Sequence, residues 1–144
     1  GGSNGVSAVN VIEYITISTQ GNSVNFGTLS TQKGQMGSCS NSTRAIFAGG
    51  SSLTNVIEFL TIATTGNTQD FGDLTLDRTN ATGAFSSPTR GVFGGGVNPG
   101  PGRINIIDYI TIASTGNAQD FGDLTGAGGV RAYMGGTSNG HGGL

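Results

Sequence analysis

One apolar phrase occurs three times in this chain, and that recurrence constrains the fold more than any other feature. It reads Asn10-Val-Ile-Glu-Tyr-Ile-Thr-Ile17, then Asn55-Val-Ile-Glu-Phe-Leu-Thr-Ile62, then Asn105-Ile-Ile-Asp-Tyr-Ile-Thr-Ile112. A Gly-Asn pair follows each copy, at Gly21-Asn22, Gly66-Asn67 and Gly116-Asn117. A Phe-Gly-x-Leu unit comes next, beginning at Phe26, Phe71 and Phe121. Glycine pairs recur at Gly49-Gly50, Gly95-Gly96 and Gly135-Gly136. The phenylalanines are about 45 and about 50 residues apart, a period of propeller blades or solenoid repeats.

Each repeat reads as four short strands. In the fullest one, residues 81–86 make a first strand and Arg90 to Phe93 a second, ended by glycines. Residues 105–113 make a third, rich in the Ile, Tyr and Thr that suit a pleated surface. Gly116-Asn117 is a turn signal, because both residues tolerate positive φ, and residues 119–124 make the fourth. Val11, Ile12, Tyr14, Ile15 and Ile17 do not alternate with polar residues, which predicts a third strand covered on both faces. Four antiparallel strands per unit is the blade pattern.

Composition agrees with an all-β chain of short strands and glycine-rich turns. Gly accounts for 28 of 144 residues, only 10% are charged, and the net charge is −2. Disordered chains usually carry a higher net charge and few β-branched residues. Six basic residues are too few for the clustered phosphate contacts of a nucleic-acid binder. No apolar run approaches the ~20 residues that span a bilayer, so no membrane insertion is expected. Neither is a signal peptide, since no basic segment with an apolar core opens the chain. The single Cys39 excludes an internal disulfide framework.

The order of elements resembles the kelch repeat: a strand of small residues, a strand ending in Gly-Gly, a strand with Tyr, and a strand with an aromatic and Leu. Phe26, Phe71 and Phe121 stand where kelch blades usually carry Trp. The wording of Ile110 to Asn117, of Asp120 to Thr125 and of residues 89–95 is similar to repeats in virion structural proteins of tailed, mostly marine, bacteriophages. That resemblance implies a tail-fibre or other surface component, virion-borne or extracellular. A host-surface glycan or protein is the partner it implies.

Propellers close with roughly four to eight blades, and the chain reads as a single domain of about three. The repeats are taken as residues 1–48, 49–94 and 95–136, with 137–144 starting the next. The ring would be completed by a second copy or by further chain. Arg131 is read as the counterpart of Arg44 and Arg90, which leaves the third repeat without a first strand, since Thr125 to Arg131 is much shorter than Thr75 to Arg90.

No catalytic, metal or cofactor site is expected. His141 is the only histidine and is read as a free surface residue. Kelch-like copper oxidases need two His and a Tyr-Cys pair, and zinc needs several His or Cys ligands. Cys39 aligns with Phe85 and is read as a buried, inert thiol. Asp70/Asp73 and Asp120/Asp123 are read as turn and strand-end hydrogen bonders rather than calcium ligands. Glu13, Glu58 and Asp108 on third strands are expected to pair with Arg44 and Arg90 on second strands. The glycine-rich segment from Gly94 to Gly102 lacks the Lys and helix of a P-loop. If a ligand surface exists, that loop is the first expectation, with Asn98, Pro99 and Arg103 as its candidates, together with residues 137–144. Asn41-Ser-Thr and Asn80-Ala-Thr are glycosylation sequons in form only.

Overall fold

Branched and aromatic residues form strands here wherever they run for more than a few positions, and glycine, serine and asparagine end them. The computed structural model describes residues 1–79, 83–100, 102–125 and 128–138. His141, the Asn80 sequon and part of the tail from 137 to 144 lie outside the described residues. The described chain is all β. A short hairpin of β1 (Gly2–Ser3) and β2 (Ala8–Val9) leads into β3 (Val11–Tyr14), which pairs with β4 (Val24–Thr28). We call this pair unit I. Unit II is a four-stranded meander of β5 (Gly37–Ser40), β6 (Arg44–Ala48), β7 (Thr54–Thr61) and β8 (Gln69–Arg78).

Unit III repeats that meander. Its strands are β9 (Gly83–Ser86) and β10 (Arg90–Gly94), then, after a small hairpin of β11 (Val97–Asn98) and β12 (Gly102–Arg103), β13 (Ile106–Thr111) and β14 (Gln119–Asp123). All pairings are antiparallel, and neither four-stranded sheet closes on itself. The four strands expected for this repeat therefore form, in the expected order.

The same defect interrupts all three third-to-fourth strand ladders. The register slips between Ile12 and Glu13, between Ile57 and Glu58, and between Ile107 and Asp108. The extra residue on the fourth strand is Phe26, Phe71 or Phe121. A bulge bends its strand and re-aims the neighbouring side chain. Each phenylalanine stacks edge-on with the aromatic of its third strand, Tyr14, Phe59 or Tyr109, with centroids 5.9 Å apart in all three. Such pairs contribute roughly 0.5–1.5 kcal/mol beyond the area they bury.

The core lies between units II and III. Ile46, Ala48, Ile57, Phe59, Phe71 and Leu74 pack with Phe93, Ile110, Ile112 and Ala118. This placement corrects the expectation of two covered faces for the first repeat. Ile112 is fully buried, but Ile17 is 94% exposed, and Val11, Tyr14 and Ile15 are exposed as well. Ile15 and Ile17 stand where Ile110 and Ile112 do, on the third-strand face that packs against a preceding unit, and among the described residues none precedes unit I.

Two further expectations change. Gly66-Asn67 and Gly116-Asn117 do not close their hairpins. The chain reverses earlier, through Thr64 N–H to Thr61 O and Ser114 N–H to Thr111 O, and the Gly-Asn pairs instead contact the preceding unit. Gly135-Gly136 is likewise no counterpart of Gly49-Gly50 and Gly95-Gly96, all four of which have positive φ. It lies beside β9: a Cβ on Gly136 would sit 2.5 Å from the Ala84 carbonyl oxygen, and Ser138 Oγ donates to Ser86 O at 2.5 Å. Ser86 Oγ donates in the same way to Ser40 O at 2.6 Å. Residues 134–138 thus occupy the first-strand position of a further repeat, and Met134-Gly135 repeats Met36-Gly37. The residues that stand for the first strand read as missing lie at this later position, beside β9 but without a ladder of their own. Phe85, expected in the core with Cys39, is 38% exposed on the side of β9 where Gly136 lies.

Candidate functional site: the junctions between units

Units meet through two contacts, and each contact occurs twice in the described chain. The first is made by backbone. The Gly-Asn pair of one unit docks on the fourth strand of the unit before it. Gly66 N–H donates to Phe26 O at 2.8 Å, Thr68 N–H to Thr28 O at 2.9 Å, and Thr28 N–H to Asn67 Oδ1 at 3.0 Å. The next junction repeats this atom for atom. Gly116 N–H donates to Phe71 O at 2.7 Å, Ala118 N–H to Asp73 O at 2.7 Å, and Asp73 N–H to Asn117 Oδ1 at 3.0 Å. The approach needs glycine on the receiving strand, because a Cβ on Gly27 or Gly72 would overlap the carbonyl of Gly66 or Gly116.

The second contact is a buried ion pair. The bulge turns Glu58 and Asp108 inward, where both are almost completely buried. Their cations come from the chain just before their own units, Lys33 from the β4–β5 connection and Arg78 from the end of β8. Lys33 Nζ lies 3.4 Å from Glu58 Oε2, and Arg78 bonds to Asp108 Oδ2 with both side chains fully buried. A hydroxyl residue completes each cradle. Ser30 donates from its backbone N–H and its Oγ to Glu58 Oε1, and Thr75 Oγ1 donates to Asp108 Oδ1 at 2.6 Å. Burial lowers the Arg78 pKa from its ordinary value, while the charge and hydrogen bond of Asp108 oppose that shift. The cation's carbonyl also holds the glycine pair: Gly2 N–H donates to Lys33 O, Gly50 N–H to Arg78 O, and Gly96 N–H to Arg131 O. This contact makes Lys33, Arg78 and Arg131 equivalent.

The expected pairing of Arg44 and Arg90 with the third-strand acids is therefore wrong. Arg44 lies over the Phe59 ring at 4.4 Å and donates to Ile112 O at 2.8 Å, and Arg90 lies over Tyr109 at 4.7 Å. Second-strand and third-strand residues do face each other, but the arginines meet aromatic faces, and the acids point to the other side of the sheet. Arg131, grouped with Arg44 and Arg90 by its neighbouring glycines, belongs with Lys33 and Arg78. Sequence reading missed these cations because Lys alternates with Arg and their distance to the acid varies. The matching signal was Ser30, Thr75 and Thr125, each just past a Phe-Gly-x-Leu unit.

The remaining candidates scatter. Asn98 is buried and committed to internal bonds, from Nδ2 to Asp77 O and Oδ1 at 2.9 Å and from Gly100 N–H to its own Oδ1. Pro99 and Arg103 are exposed. Asn41 caps the β5–β6 turn, its Oδ1 accepting from Thr43 and Arg44 N–H. Asp120 Oδ1 accepts from Gly122 N–H at 3.0 Å. Burial pushes the Cys39 thiol up to about 12, which suits an unreactive packing residue. A hollow of about 250 Å3 opens beside the β7–β8 turn, lined among others by Leu60, Thr61, Thr64, Asn67 and Gln69.

The connections between second and third strands differ from unit to unit. The β1–β2 hairpin leads into β3, the β11–β12 hairpin joins β10 to β13, and between β6 and β7 there is only a short turn at Ser51–Leu53. Compared with known proteins, the chain matches no protein-family model and no curated protein sequence.

Proposed function

We propose that the chain is a non-enzymatic structural and adhesive surface module, built as kelch-like propeller blades, of the kind carried on a phage virion or its tail fibres. One observation supports this division of labour. The backbone bonds between units recur at the same atoms, whereas the connections from second to third strand vary in length and shape. A scaffold with constant joints and variable loops suits a molecule that presents surfaces rather than one that performs chemistry. A surface of low charge, rich in Ser, Thr and Asn, also makes such a module less sensitive to salt. The resemblance to virion repeat proteins supplies the particle.

The test exchanges residues 97–103 for the short Ser51–Leu53 connection and measures binding to host cells and glycan arrays. The expected result is lost binding with an unchanged β-sheet spectrum. Unchanged binding would overturn the role of the loops. A second reading, a binding module for a glycan or protein partner in a cell, draws on the hollow at Thr61, Thr64, Asn67 and Gln69. Its hydroxyl and amide groups match a sugar's hydrogen-bonding edge. Loss of glycan binding in Gln69→Ala with the loop exchange silent would favour it.

A further inference from the structure

Both internal junctions are built from two halves, and each end of the described chain carries one unmatched half. At the C-terminal side, β14 has the receiving strand without a donor. Phe121 is 54% exposed where Phe71 is 2% exposed. A Cβ on Gly122 would meet open space, whereas Gly27 and Gly72 face a docked carbonyl. The Thr125–Arg131 cradle is also in place: Arg131 takes the backbone bond from Gly96 and holds Thr125 O with its guanidinium at 3.4 Å. Among the described residues it meets no carboxylate within salt-bridge distance.

At the N-terminal side, unit I has the donor half. Its Gly21-Asn22 pair is exposed, Ile15 and Ile17 are uncovered, and Glu13 follows the same bulge as Glu58 and Asp108. Glu13 is exposed and has no cation within salt-bridge distance among the described residues.

We propose that a second copy of this chain docks head to tail across these two faces, with its Gly21-Asn22 pair on β14 and its Glu13 in the Thr125–Arg131 cradle. The inference rests on the scaffold part of the proposed function and not on its adhesive part, since a chain that binds no host ligand still has both faces. The internal junctions specify the bonds. Gly21 N–H donates to Phe121 O, Ser23 N–H to Asp123 O, and Asp123 N–H to Asn22 Oδ1. Burying the apolar residues of both faces supplies the driving force, and the ion pair sets the register. A head-to-tail contact of this kind forms a ring if its rotation closes and a filament if it does not.

The test is sedimentation velocity over a concentration series, with Glu13→Arg and Arg131→Glu made singly and then mixed. Both residues are exposed and neither has an oppositely charged group within salt-bridge distance among the described residues, so each variant keeps the β-sheet spectrum of the parent. The parent associates with rising concentration. Either reversal alone places like charges in the cradle and weakens association at least about tenfold. An equimolar mixture brings a reversed head to a reversed tail and a native head to a native tail, and it recovers the parent's association. Asn22→Ala, which removes one acceptor, weakens association by several-fold. A parent that stays monomeric throughout, reversals that associate like the parent, or a mixture that does not recover would each overturn the proposal. Loss of host binding with these results intact would instead count only against the adhesive role.

Discussion

Arg78 and Asp108 form an ion pair in which neither side chain is exposed, with the guanidinium also donating to Gly95 O at 3.2 Å. The carboxylate has Thr75 as a further donor, so its charge is met on both oxygens. A buried pair whose carboxylate is hydrogen-bonded at both oxygens tolerates removal as a whole better than removal of one partner. Arg78→Ala is expected to cost about 3–5 kcal/mol by leaving Asp108 buried and unpaired, while Arg78→Met with Asp108→Leu costs little or stabilises. Urea denaturation followed by circular dichroism checks this. Equal costs for the single and double variants would show that the pair does not act as a unit.

Gly27 and Gly21 separate the demands of the junction from those of the strand. A Cβ on Gly27 overlaps the Gly66 carbonyl, and a Cβ on Gly21 meets nothing within 4 Å. Gly27 needs no positive φ, so any cost there comes from the approach of unit II. Gly27→Ala is expected to destabilise by roughly 1–3 kcal/mol through overpacking. Gly21→Ala stays within about 0.5 kcal/mol. The same denaturation series reads both.

Cys39 links stability to alkaline pH. Its folded pKa is raised by burial from 9.0 to about 12, so the unfolded chain gives up the thiol proton first. The stabilising contribution is fully present below pH 9 and is lost as the pH rises toward 12. The slope is on the order of 1 kcal/mol per pH unit. Unfolding free energies from pH 7 to 11 check this, with Cys39→Ala removing the slope. Ellman's reagent at pH 8 is expected to react only as the chain unfolds.

Asn98 was the most prominent polar residue of the glycine-rich loop, and the structure makes it a brace. Asn98→Ala is expected to cost about 1–3 kcal/mol by releasing Asp77. Pro99→Ala and Arg103→Ala, both at exposed positions, stay within about 0.5 kcal/mol. Thermal unfolding of the three variants distinguishes a brace from a ligand-facing loop.

Strands and their order were legible because Ile, Tyr and Thr cluster where ladders form, and because the repeat placed β9, β10, β13 and β14 by comparison with one another. Burial was not legible at the chain's head. Ile17 and Ile112 hold the same place in the repeat, yet Ile112 is buried against unit II and Ile17 is exposed. The junction was half legible. Glu13, Glu58 and Asp108 stood out by recurrence, but the partners of Glu58 and Asp108 share charge and not spacing, Lys33 lying in the β4–β5 connection and Arg78 at the end of β8. Gly135-Gly136 misled because a Gly-Gly phrase is short enough to recur in a different structural position. The backbone bond from Gly96 to Arg131 reveals the true phase, and no residue type encodes a carbonyl's partner.

We propose that one junction, repeated, builds a propeller-like ring. Negative-stain imaging of the chain at associating concentration tests it most directly. Round particles are expected, with a central hollow and a mass of two chains of 14.4 kDa, each chain contributing about three units to the ring. Rods that lengthen with concentration, or compact single-chain particles at every concentration, would contradict it.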